Sequence, residues 1–340
     1  MLVDRLAAAE KAADSDSVRG FLDPEASTAF IEGEVARTQN LAGVPLESWH
    51  YRFDAVPDVP GSVAAVLEYK IRGGDRLPAR RPLVMTLTRH GDLWFVKGFA
   101  DSPGARTYRG PWDFGPTAAT ATDTTVVLSH PVDDALRGRV AEQLPAAVTD
   151  VARATSGDWQ QNVVVWLTSS DAEYSALGGA QGTAAATVSD DMADGQVSGQ
   201  RIVVSPAAAT RLGRDELDVV LRHELVHVAT RARTNPGTPI WVTEGFADFV
   251  AYRDRGPIEE QSGDLPVDAA FSGPQANRAY ASARTVFDFV DDRCGVGSAA
   301  RFYDLLAGGA VPDAATREVC ALDAAEFRQS WHEWTITHAR

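Results

Sequence analysis

Positive charge is what this chain of 340 residues has least of: three lysines and twenty-nine arginines face 47 acidic side chains, for a net charge of −15. The deficit is uneven. Residues 1–115 carry 16 acidic and 14 basic groups, so the remainder holds 31 against 18. An acidic second half disfavours nucleic acid and anionic membranes as partners and tolerates neutral or basic peptides better. Long apolar runs are also missing. No stretch reaches the length of a membrane span, and the N-terminus lacks a signal-peptide core. Cysteine occurs twice, at Cys294 and Cys320. The two thiols either pair across a helical hairpin, which favours an oxidising compartment, or remain reduced in the core.

Histidine is scarce as well, seven in all, yet two fall in one motif. His223, Glu224 and His227 form HExxH within residues 221–230 (LRHELVHVAT). A helix turns once in 3.6 residues, so His223 and His227 stack on one face and their imidazoles can converge on one ion. Glu224 is displaced around the helix. It can reach a water at that ion without taking a coordination position, as a general base requires. Residues 215–231 read as the helix, with Asp215 and Asp218 expected at its N-terminal cap and Arg231 and Arg233 near its negative end. It is apolar nearly all round and belongs in a core.

Catalytic zinc usually takes three protein ligands and leaves a fourth position for water, whereas structural zinc sites are closed and cysteine-rich. Glu244 is the expected third ligand. It lies on a second helix expected over residues 243–253, entered through the turn-forming NPGTP at 235–239. Asp248, four residues on, faces the same way and is expected to accept the free N–H of a zinc-bound histidine. A donor near the developing oxyanion is also required. Tyr280, on a helix expected over residues 275–293, is the candidate, and a packed core aromatic is the other reading of it. His332 and His338 are weaker candidates, since residues 331–338 read better as an amphipathic closing helix.

These residues resemble the gluzincin zinc metallopeptidases, most closely the peptidase MA-like group of actinobacterial type. The matching pieces are His223-Glu-Leu-Val-His227 and Pro239-Ile-Trp-Val-Thr-Glu-Gly-Phe-Ala-Asp248. A looser third piece is Ala279-Tyr280, opening an apolar helix that ends at Cys294-Gly295. The resemblance covers about residues 118–340 and implies Zn2+ held by His223, His227 and Glu244, with Glu224 as base in the hydrolysis of peptide bonds. Relatives of this kind often carry an N-terminal membrane segment or lipid anchor. Two departures narrow the expectation. The interval from His227 to Glu244 is shorter than in aminopeptidase N-type enzymes, and no Gly-x-Met-Glu-Asn segment offers a site for a free amino group. An endopeptidase is therefore expected. Short strands over residues 182–189 and 200–205 would offer an edge for an extended peptide, or are an ordinary sheet edge.

The expected fold class is α+β: a zincin-like domain, with a small sheet, the HExxH helix and a helical C-terminal half, preceded by a small cone-shaped α+β domain. Length alone suggests two domains, placed at 1–115 and 116–340. The first reads as helices over 2–13 and 24–41, then strands over 49–56, 62–71, 81–88 and 93–99, with a hairpin turn at His90-Gly-Asp92. It resembles nuclear-transport-factor-like or cystatin-like domains and is expected to serve as a scaffold or partner-binding module. His50, His90 and His130 stand alone there and beyond. Residues 107–122 read as a linker. Strands over 124–128 and 162–167 and helices over 133–154 and 170–177 follow. Asp190, Asp191 and Asp194 lack the regular spacing of a calcium loop and read as an exposed turn. The leading function is a zinc-dependent peptidase acting on a peptide or protein substrate. The alternatives are a catalytically silent binding or assembly protein that keeps the fold, and a metal-dependent hydrolase of something other than peptides.

Overall fold

A computed structural model describes residues 2–53, 59–101, 106–156, 159–190, 192–193, 195–255 and 265–338. By spatial contact the chain divides into two compact units, residues 1–143 with 162–212, and residues 144–161 with 213–340. The architecture is α+β, a curled sheet region followed by a helical C-terminal half, as expected.

In the first unit, α1 (Leu2–Lys11) stops where Ala13 takes a left-handed φ of 54°, so the expected helix over 2–13 is shorter. Asp14 then caps α2 (Ser15–Arg19) by accepting the Ser17 N–H. Ser27 caps α3 (Thr28–Asn40) in the same way through Phe30, which moves that helix's start four residues past the expected one. β1 (Leu46–Arg52), β2 (Gly61–Ile71), β3 (Ala79–His90) and β4 (Leu93–Phe99) form an antiparallel sheet in sequential order. On β2, Ala65, Leu67, Tyr69 and Ile71 are buried at every second position, the pattern of a strand with one face on a core. Register shifts near Ser48 and Leu87 mark bulges, which bend the sheet. The turn at Gly91, φ 63°, closes the β3–β4 hairpin where it was expected. Residues 54–56 of the expected first strand lie outside the described residues.

β5 (Ala118–Ala121) and β6 (Thr125–Ser129) begin a second sheet, which corrects the linker reading of residues 107–122. Trp112 is fully buried, edge-on to Trp49 and Tyr69, and β5 is paired. α4 (Asp134–Ala154) follows, then β7 (Val163–Leu167), α5 (Asp171–Ala176), β8 (Ala185–Val188), the small hairpin β9 (Met192–Ala193) and β10 (Gln196–Val197), β11 (Arg201–Val204) and α6 (Pro206–Arg211). The sheet order is β5-β6-β7-β11-β8, with β6, β7 and β11 parallel and each buried along its whole length. β8 lies at an edge, and the β9–β10 hairpin was not expected. Arg201 is fully buried on β11. Its charge is met bidentately by Asp75 at 2.6 and 2.9 Å and by the faces of Tyr69 and Trp166.

The second unit is helical: α7 (Arg214–Thr230), α8 (Ile240–Ala251), α9 (Ala276–Cys294), α10 (Ser298–Ala307), α11 (Pro312–Cys320) and α12 (Ala324–His338). Phe246 of α8 stacks on Tyr303 at 4.6 Å and meets Phe287 at 5.5 Å, and Trp331 of α12 donates its indole N–H to Thr285 of α9. Cys294 and Cys320 form a disulfide joining the ends of α9 and α11. No described helix is long and apolar enough to cross a membrane.

Candidate metal centre

α7 starts one residue before its expected limit, and its cap is not the one expected. The Gly213 N–H donates to the Glu216 carboxylate at 2.7 Å. Asp215 and Asp218 instead face Arg255, at 3.7 and 3.0 Å. Arg222, beside the first histidine of the motif, pins the helix through Asp218 at 3.1 Å and Asp150 of α4 at 2.9 Å. α8 begins three residues earlier than expected because Asp268 accepts the Ile240 N–H at 2.9 Å. The two helices are thus fixed before any ligand is considered.

They bring His223, His227 and Glu244 together. Nε2 of His223 lies 3.1 Å from Nε2 of His227 and 3.2 Å from Oε2 of Glu244, and the third side of the triangle is 3.5 Å. Bonds of about 2.0–2.1 Å at tetrahedral angles separate ligand atoms by about 3.3 Å, so this triangle has dimensions that could hold a metal ion. Behind it, Nδ1 of His223 faces Oδ1 of Asp248 at 2.8 Å. A carboxylate only accepts, so Nδ1–H donates to Asp248, which aims Nε2 at His227 and Glu244. Three electron-rich atoms around one point call for a positive charge between them. The electrostatics agree. Burial works against charge on His223, but its bonds to Asp248 and Glu244 outweigh it and hold that histidine well above its ordinary range. Burial likewise raises Glu244, and the two histidines outweigh it and hold its carboxyl far below the usual range. A proton or a metal ion answers the same demand.

Glu224 is buried on α7 directly after His223, and its charge is felt at Tyr280. Tyr280, the fifth residue of α9, has its ring centroid 6.3 Å from that of His223 and rests edge-on against Phe271. Burial first, then the charges of Glu244, Asp248 and Glu224, push its hydroxyl well above the ordinary phenol range, so it remains a donor. Tyr280 is therefore packed against Phe271 and also stands beside His223.

Other titratable residues from the sequence lie elsewhere. His332 and His338 are exposed on α12, where His338 stacks on Trp334, and His50 is exposed on β1. His130 and His90 do not stand alone: each pairs with a carboxylate at 3.0 Å, Glu173 and Asp23 respectively. Asp23, Glu25 and His90 make the second carboxylate–imidazole cluster among the described residues. There Asp23 already accepts from Thr88 and the Glu25 N–H, with Lys97 at 3.7 Å, so its charge is met. Asp190 binds Arg81 at 2.6 Å and the Arg80 N–H and is not an exposed turn residue, while Asp191 and Asp194 lie outside the described residues. Sequence reasoning missed Tyr252 and Arg284, which continue the polar stripes of α8 and α9. The four-residue steps 244, 248, 252 and 280, 284, 288 carried that signal.

Residues 148–321, just over half of the chain and all of the site, match the family described as peptidase of plants and bacteria. A search of curated proteins finds no match.

Proposed function

The chain belongs to the family of peptidases of plants and bacteria, and from that premise we propose that it is a zinc-dependent endopeptidase of gluzincin, peptidase MA-like type. The observation that carries the reading is the triangle of His223, His227 and Glu244, with Asp248 orienting the first histidine. Nitrogen, nitrogen and oxygen donors at this spacing suit zinc, and three protein ligands are the usual set of a catalytic site. Zn2+ held there would supply a Lewis acid for the scissile carbonyl and would make a water more acidic. Glu224 takes the proton from that water and later gives it to the leaving amine. The Tyr280 hydroxyl donates to the oxyanion that develops on the carbonyl. Asp248 holds His223 in one tautomer throughout.

The absence of an amine-binding segment supports an endopeptidase. The Cys294–Cys320 disulfide supports an oxidising, extracytoplasmic location. No catalytic set is read among the described residues of 1–115, and a scaffold or partner-binding role, separate from a metallopeptidase domain at 116–340, is the proposal for them. Digestion of an unbiased peptide library with and without a chelator tests the whole reading. Internal cleavage that stops on chelation and returns with zinc is expected. Zinc-loaded protein that cleaves nothing in the library would instead mark a silent binding protein on the same fold.

A further inference from the structure

Arg284 is only 8 % exposed on α9, one turn after Tyr280. A buried guanidinium is costly unless its charge is met. Its Nε lies 3.2 Å from Oδ2 of Asp288, one turn further along its own helix. Toward α8, its guanidinium carbon stands 5.0 Å from the centroid of the Tyr252 ring, and Nη2 points at the Tyr252 carbonyl from 3.5 Å. Tyr252 is the C-cap residue of α8, so the cation also meets the negative end of that helix's dipole.

The contact is one turn removed from the ligand cluster along both helices, since Tyr252 follows Asp248 by four residues as Arg284 follows Tyr280. Burial and then the charge of Asp248 raise the Tyr252 hydroxyl, which places that ring in the field of the site. Beside Glu244 the helices have no slack. A Cβ on Gly245 would lie 2.6 Å from the Ala283 carbonyl oxygen, so the two backbones touch there. Gly245 fixes the separation of the helices next to the ligand, and Arg284 fixes their far end.

We propose that Arg284 is a positioning residue of the metal centre: by locking α9 to the end of α8 it sets where the Tyr280 hydroxyl and the Asp248 carboxylate stand around the three ligand atoms. The role rests on the hydrolytic reading given above.

Arg284→Met keeps the length and loses the charge, and Arg284→Lys keeps the charge and loses the flat face. In the zinc-loaded full chain, Arg284→Met retains one zinc, loses about 10–100-fold in kcat and holds KM within about threefold. Arg284→Lys recovers part of that loss. Added to Tyr280→Phe, Arg284→Met costs less than it does alone, because the part of its effect that acts through the Tyr280 donor is already lost. The same proteins loaded with Co2+ give a readout independent of turnover: the ligand-field bands of Arg284→Met differ from those of the wild type. Wild-type kcat with unchanged cobalt bands, or losses that multiply in full with those of Tyr280→Phe, overturn the proposal. Should Arg284→Met not fold, Tyr252→Leu removes the partly exposed ring from beside the guanidinium and carries the same expectations. A wild-type chain that binds cobalt but cleaves nothing contradicts the peptidase reading, and the cobalt comparison still decides the role of Arg284. A wild-type chain that binds neither ion defeats both.

Discussion

His223 shows how one side chain is specified from two helices. Its neighbour four residues on provides the second imidazole, while α8 provides both the carboxylate facing Nε2 and the one holding Nδ1–H. Asp248→Asn loses the fixed tautomer and the added basicity, and zinc affinity is expected to fall about 10–100-fold. Competition with a chromogenic chelator measures it, and unchanged affinity removes Asp248 from the role. Tyr280→Phe is expected to keep zinc and lower kcat about 100-fold, the cost of one missing oxyanion donor. Steady-state kinetics on one cleaved peptide checks it, and a wild-type kcat returns Tyr280 to the packed aromatic reading. These residues were legible because helical period is local: His223 with His227 and Glu244 with Asp248 each lie four apart. Arg284 and Gly245 were not. Their importance arises only when α8 and α9 meet, and no single-helix pattern records which glycine faces a neighbouring carbonyl.

Among the elements, α9 is held at several points. It touches α8 beside Glu244, carries Tyr280 at one end and is bonded to α11 through Cys294 at the other. The disulfide closes a loop with a sequence separation of 26 residues. In the chain-entropy view such a loop stabilises by about 3.5 kcal/mol. The Cys294→Ser, Cys320→Ser double variant is expected to lose up to that amount in denaturant unfolding, and an unchanged midpoint would contradict it. The elements misread from sequence were those whose signals compete. Residues 107–122 have the Gly-Pro composition of a linker, but the burial of Trp112 among Trp49, Tyr69 and Tyr108 outweighs it. At the start of α7, acidic residues suggested a side-chain cap, but Glu216 reaches back to the Gly213 N–H while Asp215 and Asp218 answer Arg255.

Across the whole molecule, carboxyls shifted by burial or by their partners contribute to the response of stability to pH. Glu34 is pushed up to about 7 from an ordinary 4.5, chiefly by burial, then by Glu10 and Asp113 against the opposing charge of Arg37. Asp288 is pushed up to about 6 from 3.8, again chiefly by burial, with Arg284 opposing it. Each folded group keeps its proton after the unfolded chain has released it, so stability falls as pH rises from about 4 toward 7. Asp23 has the opposite sign. Thr88, the Glu25 N–H and His90 outweigh its burial and hold it at about 2, so its contribution is present above 3.8 and is lost as pH falls through 2. Glu34→Gln is expected to flatten the decline between about pH 5 and 7.5, read as thermal midpoints, and an unchanged slope would contradict the assignment. The α+β class and the helical second half were legible from periodicity, since they follow from apolar spacing summed over many residues. The course of β5 and Trp112 into one core with the preceding sheet was not, because it depends on contacts distant in sequence.

On the proposed function, α7 and α8 build a hydrolytic zinc centre with Glu224 as its base. The direct measurement pairs zinc content with peptide hydrolysis in wild type and Glu224→Gln. One zinc per chain is expected in both, with hydrolysis in the wild type and its loss in the variant. Zinc absent from the wild type, or full hydrolysis by Glu224→Gln, would contradict the account.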